Sequence, residues 1–205
     1  MSDIQLLADV NAYKLYSIRQ VDKKFNTFKE SVIRRDKSSC SYCTFKAHHH
    51  MTVINNDGNY QNNSMENLVT ACLFCAQCHF LPFVGKVEGT GGILIHLPDM
   101  SQSDLNALCH VLFCTMYHKA KYHENAEKIY KSLKLRSKLI DDCWGEGLSK
   151  PSHFGQMIID TPSEKIKSVK HEILNQIRLL PSYKAFASEI DIWSRNALEQ
   201  GVLGL

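Results

Sequence analysis

The chain has 205 residues, of which 44% are hydrophobic and 22% charged, with a formal net charge of +3. The apolar share is enough for a buried core, and a nearly balanced charge neither requires nor excludes a nucleic-acid partner. The opening MSDIQLLADVNAYKLYS carries an acidic residue at position 3 and lacks the basic and apolar regions of a secretory leader. No apolar run approaches the roughly 20 residues that span a bilayer, so a soluble protein kept inside the cell is expected.

In chain order, the stretch from Leu6 to Arg35 reads as helical, with Leu15, Ile18, Val21, Phe25, Phe28 and Val32 at steps of three and four. From about Lys46 to Tyr60 the β-branched and Asn/Gly content predicts a hairpin turned by the Asp-Gly of NDGN. Ser64 and Asn67 precede a short helix through CLFCAQCHF. Gly89, Gly91 and Gly92 mark a loop, and ILIHL reads as a short strand.

The second half reads as helices. Ser101 caps one with Leu105, Leu108, Leu112 and Met116 on a face. Another is expected over about Asn125 to Asp142, stopped at GEG. TPSE starts a third, with Thr161 as cap, Pro162 in the first turn and Glu164 closing a capping box, running to Leu180. A last helix is expected from about Tyr183 to Gln200. Residues 1–98 form an N-terminal helix, a cysteine-rich module and a short strand, and residues 99–205 a helical region expected to join them in one compact unit. Trp144, Phe154, Trp193 and the tyrosines could anchor a partner, but most are expected in the core.

Eight cysteines are present, five of them between Cys40 and Cys78. In a reducing compartment, paired C-x-x-C groups read as a metal site before they read as disulfides. Cys40 with Cys43 and Cys72 with Cys75 form two such pairs. Each pair converges two thiolates on one ion, and together they complete a closed tetrahedral four-sulfur site for one structural zinc. The 28 intervening residues suit a knuckle, a hairpin and a helix, the treble-clef arrangement. Cys75 and Cys78 make an overlapping C-x-x-C followed by His79. Cys72 opens the helix where a treble clef places its third ligand, which favours Cys72 and Cys75 and leaves Cys78 as a spare thiol.

The run FKESVIRRDKSSCSYC, followed by a hairpin with DGN, NN and ENLVTAC, resembles the HNH endonuclease family over roughly Phe25 to His79. The resemblance implies an α+β fold: an HNH-like treble-clef zinc module (helix, hairpin, helix) embedded in a mainly α-helical domain. In that family a histidine near the end of the first hairpin strand activates water. A histidine or acid beside it, and another histidine after the last cysteine, hold a catalytic divalent metal. Aligned on DGN, this chain has Ile54, Asn55 and Ala76 at those places. An amide is no general base near neutral pH, and Ile or Ala binds no hard cation. Asn67 is retained, with loop pinning as its expected role. His50 lies five residues before Asn55, roughly 16 Å along a strand and on the opposite face, so His48, His49 and His50 are expected to be an exposed polar strand end. His110, Cys114 and His118 fall on one line of one helix, which cannot alone wrap an ion. They are read as its flank. No catalytic residue is expected.

Over nearly the whole chain, ADVNAYKLYSIR, NLVTACLFCAQC, GGILIHLPDMSQSDLNALCHVLFC, KIYKSLKLRSKLI and FGQMIID resemble the IcmJ/DotN family of Dot/Icm type IV secretion components. That resemblance implies a cytoplasmic subunit of the coupling complex at the inner membrane. It would bind the C-terminal extension of the coupling ATPase DotL, near DotM and the IcmS–IcmW adaptor. The expected function is therefore a non-catalytic zinc-stabilised adaptor that helps recruit effectors. The alternatives are a metal-dependent HNH nuclease using a displaced histidine and a nucleic-acid-binding treble-clef module.

Overall fold

The structure is a computed structural model and describes residues 4–119, 121–161 and 173–199. The helical stretch near the N-terminus is two helices, α1 (Val10–Gln20) and α2 (Lys23–Arg35). The break lies at Asp22, whose carboxylate accepts the backbone N–H groups of Lys24 and Phe25 and so starts a new helix. With that change of direction, Ile18 and Val21 face solvent instead of the core.

Strands β1 (Met51–Asn55) and β2 (Leu68–Cys72) pair antiparallel, with Met51 opposite Cys72 and Asn55 opposite Leu68. The hairpin is wider than the expected Asp-Gly turn, because its connection takes in residues 56–67. Asp57 and Gly58 still turn the chain there, but the loop is held by side-chain amides. Asn67 accepts from the Asp57 N–H at 3.1 Å and donates to the Asp57 carboxylate and the Asn62 carbonyl, which is the pinning role expected of it. Strand β1 is buried on both faces. Val53 packs with Val32 of α2 and Leu68, while Ile54 belongs to the main core.

A single turn of α-helix, α3 (Leu73–Ala76), continues as a 3-10 segment over Gln77–Phe83. Strand β3 (Gly92–His96) forms where ILIHL predicts one, and its partner is β4 (Ile177–Pro181), antiparallel with Gly92 opposite Pro181. A Cβ at Gly92 would meet the Leu180 carbonyl oxygen at 2.5 Å, so this pairing needs glycine. Strand β4 corrects the helix expected to reach Leu180. Ile177, Leu179 and Leu180 are fully buried, and extended backbone hydrogen-bonded to β3 places all three in the core. Pro162 and Glu164 lie outside the described residues. The helix expected to begin at Thr161 therefore falls there too; Thr161 itself closes the helix before it, its hydroxyl donating to the Met157 carbonyl at 2.7 Å.

The long helix α4 (Gln102–His118) is capped by Ser101, which accepts from the Asp104 N–H. The next expected helix is divided at Arg136 into α5 (His123–Leu135) and α6 (Ser137–Trp144). Helix α7 (Pro151–Asp160) was not expected from periodicity, although Pro151 at its first position is a start signal. A Cβ at Gly155 would lie 2.7 Å from the Pro82 nitrogen, which lets α7 press on the 3-10 segment. The last helix, α8, spans Ala187–Glu199. One core cluster takes in side chains from Ile4 to Trp193. Phe154 and Trp193 are buried in it, and Trp144 is half-buried at its edge.

Candidate metal centre

Local backbone shapes the first half of the centre. After α2 the chain passes through left-handed conformations at Lys37 and Ser38 and again at Thr44. Cys40 N–H donates to the Phe45 carbonyl at 2.8 Å, and Thr44 N–H returns to the Cys40 carbonyl at 3.0 Å. This tight knuckle turns Cys40 and Cys43 inward. It is tied to the hairpin by Ser41 N–H donating to the Thr70 carbonyl at 2.9 Å, two residues before Cys72. Cys72 ends β2 in extended conformation and caps α3, and Cys75 lies within that turn.

The four sulfurs lie within 4.8 Å of one another and all four residues are buried. Cys43 and Cys72 sulfurs are 3.6 Å apart, and none of the four is in a disulfide. Sulfurs bound tetrahedrally at about 2.3 Å sit about 3.8 Å apart, so the spacing fits a four-sulfur ion site. The electrostatics agree. Hydrogen bonds from Cys43, Cys72 and Cys75 push the Cys40 thiol far down, whereas burial pushes Cys72 and Cys75 up. Several thiolates buried together are costly without a counter-charge, and a divalent cation would supply it.

Cys78 is outside this group. It is buried, and its thiol donates to the Phe74 carbonyl at 3.4 Å. His79 is also buried away from the sulfurs, with Nδ1 3.1 Å from the Tyr60 hydroxyl, and burial lowers it to about 4.

Helix α4 contributes what the sequence reading missed. Gln102, Asn106 and His110, at i, i+4 and i+8, form a buried polar stripe. Asn106 Nδ2 donates to the Cys75 sulfur at 3.2 Å, and His110 Nε2 lies 3.3 Å from the Cys72 sulfur. The His110 ring is stacked between Phe45 and Phe74, with centroids 3.6 and 4.2 Å away. Burial lowers it to about 3, so the ring is neutral and its Nε2–H is the donor a sulfur acceptor selects. His110 is thus part of the centre's surroundings and no mere helix flank. Cys114 is half-buried, and His118 Nε2 turns to the Ser194 carbonyl of α8 at 3.2 Å. Among the described residues, the four cysteines are the only group of three or more potential ligands that converges.

Of the residues aligned with nuclease positions, Ile54 and Asn55 lie at the other end of β1, and Ala76 follows Cys75 in α3. Ile54 and Ala76 are buried apolar side chains. Asn55 is fully buried and saturated: its Oδ1 accepts from Arg19 NH1 at 2.5 Å, and its Nδ2 donates to the Asn59 and Asn62 carbonyls. Arg19, from α1, also donates to Asn63 Oδ1 and the Val53 carbonyl. Its guanidinium lies over Phe25 and Tyr60, 4.5 and 4.9 Å from the ring centres. A buried arginine therefore takes up the acceptor that Asn55 offers. His48, His49 and His50 are exposed just before β1. The Trp193 indole donates to the His49 carbonyl at 3.0 Å, joining α8 to this segment.

No helix among the described residues is long and apolar enough to cross a membrane. No protein-family profile matches the chain. The type 4 apparatus protein DotN of Legionella pneumophila is 40% identical over 198 residues, covering 97% of this chain and 92% of that protein. With that identity over almost its whole length, the chain belongs to the IcmJ/DotN family.

Proposed function

We propose that this protein is a non-catalytic, zinc-stabilised adaptor subunit of a Dot/Icm type IV secretion coupling complex. In this reading it binds the C-terminal extension of the coupling ATPase DotL, beside DotM and the IcmS–IcmW adaptor, and helps recruit effectors. It works in the cytoplasm, peripheral to the inner membrane through the complex. The observation that carries the reading is the likeness to a type 4 apparatus protein along 97% of the chain.

Zinc is the ion the donor set favours: four sulfurs, buried, with no position open to water. Cys40, Cys43, Cys72 and Cys75 would hold it, closing the knuckle onto the hairpin in an HNH-like treble clef. Thiolate ligation of this kind contributes on the order of 10–16 kcal/mol of binding energy to folding. Residues 1–98 and 99–205 then act as one compact unit. The absence of catalysis is supported by Asn55, whose amide is no base and whose acceptor is occupied by Arg19. Ile54 and Ala76 supply no ligand for a catalytic cation.

The test has two arms. Immobilised coupling-ATPase tail should retain the purified protein, and failure to do so at micromolar concentration removes the adaptor reading. Supercoiled plasmid with magnesium or manganese should stay intact with the wild type and with Asn55→His. Chelator-sensitive nicking by either, absent from a mock preparation, overturns the non-catalytic reading.

A further inference from the structure

The stripe on α4 does more than pad the cysteine centre. Asn106 donates to the Cys75 sulfur through Nδ2, and its Oδ1 accepts from Gln102 Nε2 at 3.0 Å. Gln102 in turn clasps β4, its Nε2 donating to the Leu179 carbonyl at 2.9 Å and its Oε1 accepting the Leu179 N–H at 2.7 Å. Every member of this chain is buried, with Asn106 and Leu179 fully so and Gln102 2% exposed. Polar groups at such depth are costly unless satisfied, and here each amide end has its partner.

A continuous run of hydrogen bonds therefore leads from a ligand sulfur to the backbone of the β3–β4 ribbon, more than 100 residues along the chain. His110 makes a separate contact with Cys72 and takes no part in the run. We infer that Asn106 and His110 are positioning residues for the metal centre, and that Asn106, through Gln102, couples the bound ion to the order of β4. The inference rests on the four cysteines holding a metal. A sulfur that carries more negative charge when metal-bound is a better acceptor for Asn106. That fixes the amide orientation, which in turn presents Oδ1 to Gln102 and locks the clasp on Leu179.

The two contacts can be separated experimentally in the full-length protein loaded with cobalt(II), whose sulfur-to-metal charge-transfer bands report on the thiolates. Asn106→Leu and His110→Phe each remove one N–H donor to sulfur. Both should move the bands to lower energy, and each should weaken metal binding about 10- to 100-fold. Amide hydrogen exchange then distinguishes them. At full metal occupancy, exchange at Leu179 should be about five- to tenfold faster in Asn106→Leu, the loss of one ordinary hydrogen bond. It should be unchanged in His110→Phe, and Ile158 of α7 should be unchanged in both.

Unshifted bands in both fully loaded variants would overturn the positioning roles. Equal Leu179 exchange in wild type and Asn106→Leu would overturn the coupling. A purified protein that neither contains nor takes up metal removes the zinc reading, and this inference with it. Metal binding with no Leu179 effect defeats only the inference.

Discussion

The two ends of the β1–β2 hairpin have been treated in opposite ways. At the Met51–Cys72 end, four sulfurs converge with spacing suited to an ion, and α4 donates two hydrogen bonds to them. At the Asn55–Leu68 end, the buried polar groups are closed off by an amide, an arginine and aromatic rings. Both ends are buried and rich in polar atoms, but only the first brings several ligand atoms of one kind within 4.8 Å of one another. Polar residues in a buried pocket indicate chemistry only when they are not already satisfied by one another.

The comparison breaks most readily at the sulfurs. Cys72→Ser should abolish metal binding and unfold the module, because the ion is expected to contribute on the order of 10 kcal/mol or more. Metal content and thermal melting followed by circular dichroism measure both. Cys78→Ser should keep the metal, and loss of zinc in that variant alone would move the site to the overlapping pair.

At the opposite end the effect is smaller. Arg19→Leu leaves the Asn55 and Asn63 side-chain oxygens and the Val53 carbonyl short of a donor, and should cost about 3 kcal/mol in urea unfolding. Arg19→Lys should recover little of it, since one ammonium cannot reproduce the fork over Phe25 and Tyr60. Unchanged stability in Arg19→Leu would mean that the closed pocket is not what orders this end.

The smallest effect sharpens the link between the ends. His79 bonds to Tyr60, the ring under Arg19, and burial holds it near 4 against an ordinary 6.5. The folded state thus binds its proton less readily than the unfolded one. Stability from this residue is complete above about pH 6.5 and falls as the pH drops towards 4. At about 1.4 kcal/mol per unit, up to about 2 kcal/mol should be lost by pH 5. His79→Gln should flatten the wild-type curve by that amount between pH 6.5 and 5, and parallel curves would refute it.

The cysteine pairs, the Ser101 cap and the ILIHL strand are legible in the sequence because each is a local pattern. Strand β4 is not. Ile177 to Leu180 continues an apolar spacing that a helix accommodates equally well, and the partner that decides the matter, β3, is some eighty residues upstream. Arg19 reads as a solvated position on a polar helix until the Asn55 side-chain oxygen, Oδ1, is found facing it. Gln102, Asn106 and His110 do repeat at i, i+4 and i+8. On a helix with a clear apolar face, that stripe passes for the wet side. Only the packing of α4 against the hairpin shows it to be dry.

The Trp193 ring lies 5.2 Å from His110 and 5.1 Å from Phe45, and its indole nitrogen is fastened to the His49 carbonyl. Helix α8 thereby roofs the aromatic stack beside Cys72, and Cys40, Cys43, Cys72 and Cys75 are at most 4% exposed beneath the finished fold. This imposes a sequence of events on the newborn chain. All four thiols have been synthesised more than a hundred residues before Trp193, so an ion can enter while the site is still open. An ion arriving after α8 has docked must wait for local unfolding. For a four-cysteine centre enclosed in this way, metal supply during synthesis, and not only affinity in the finished protein, would set what fraction of molecules carry an ion.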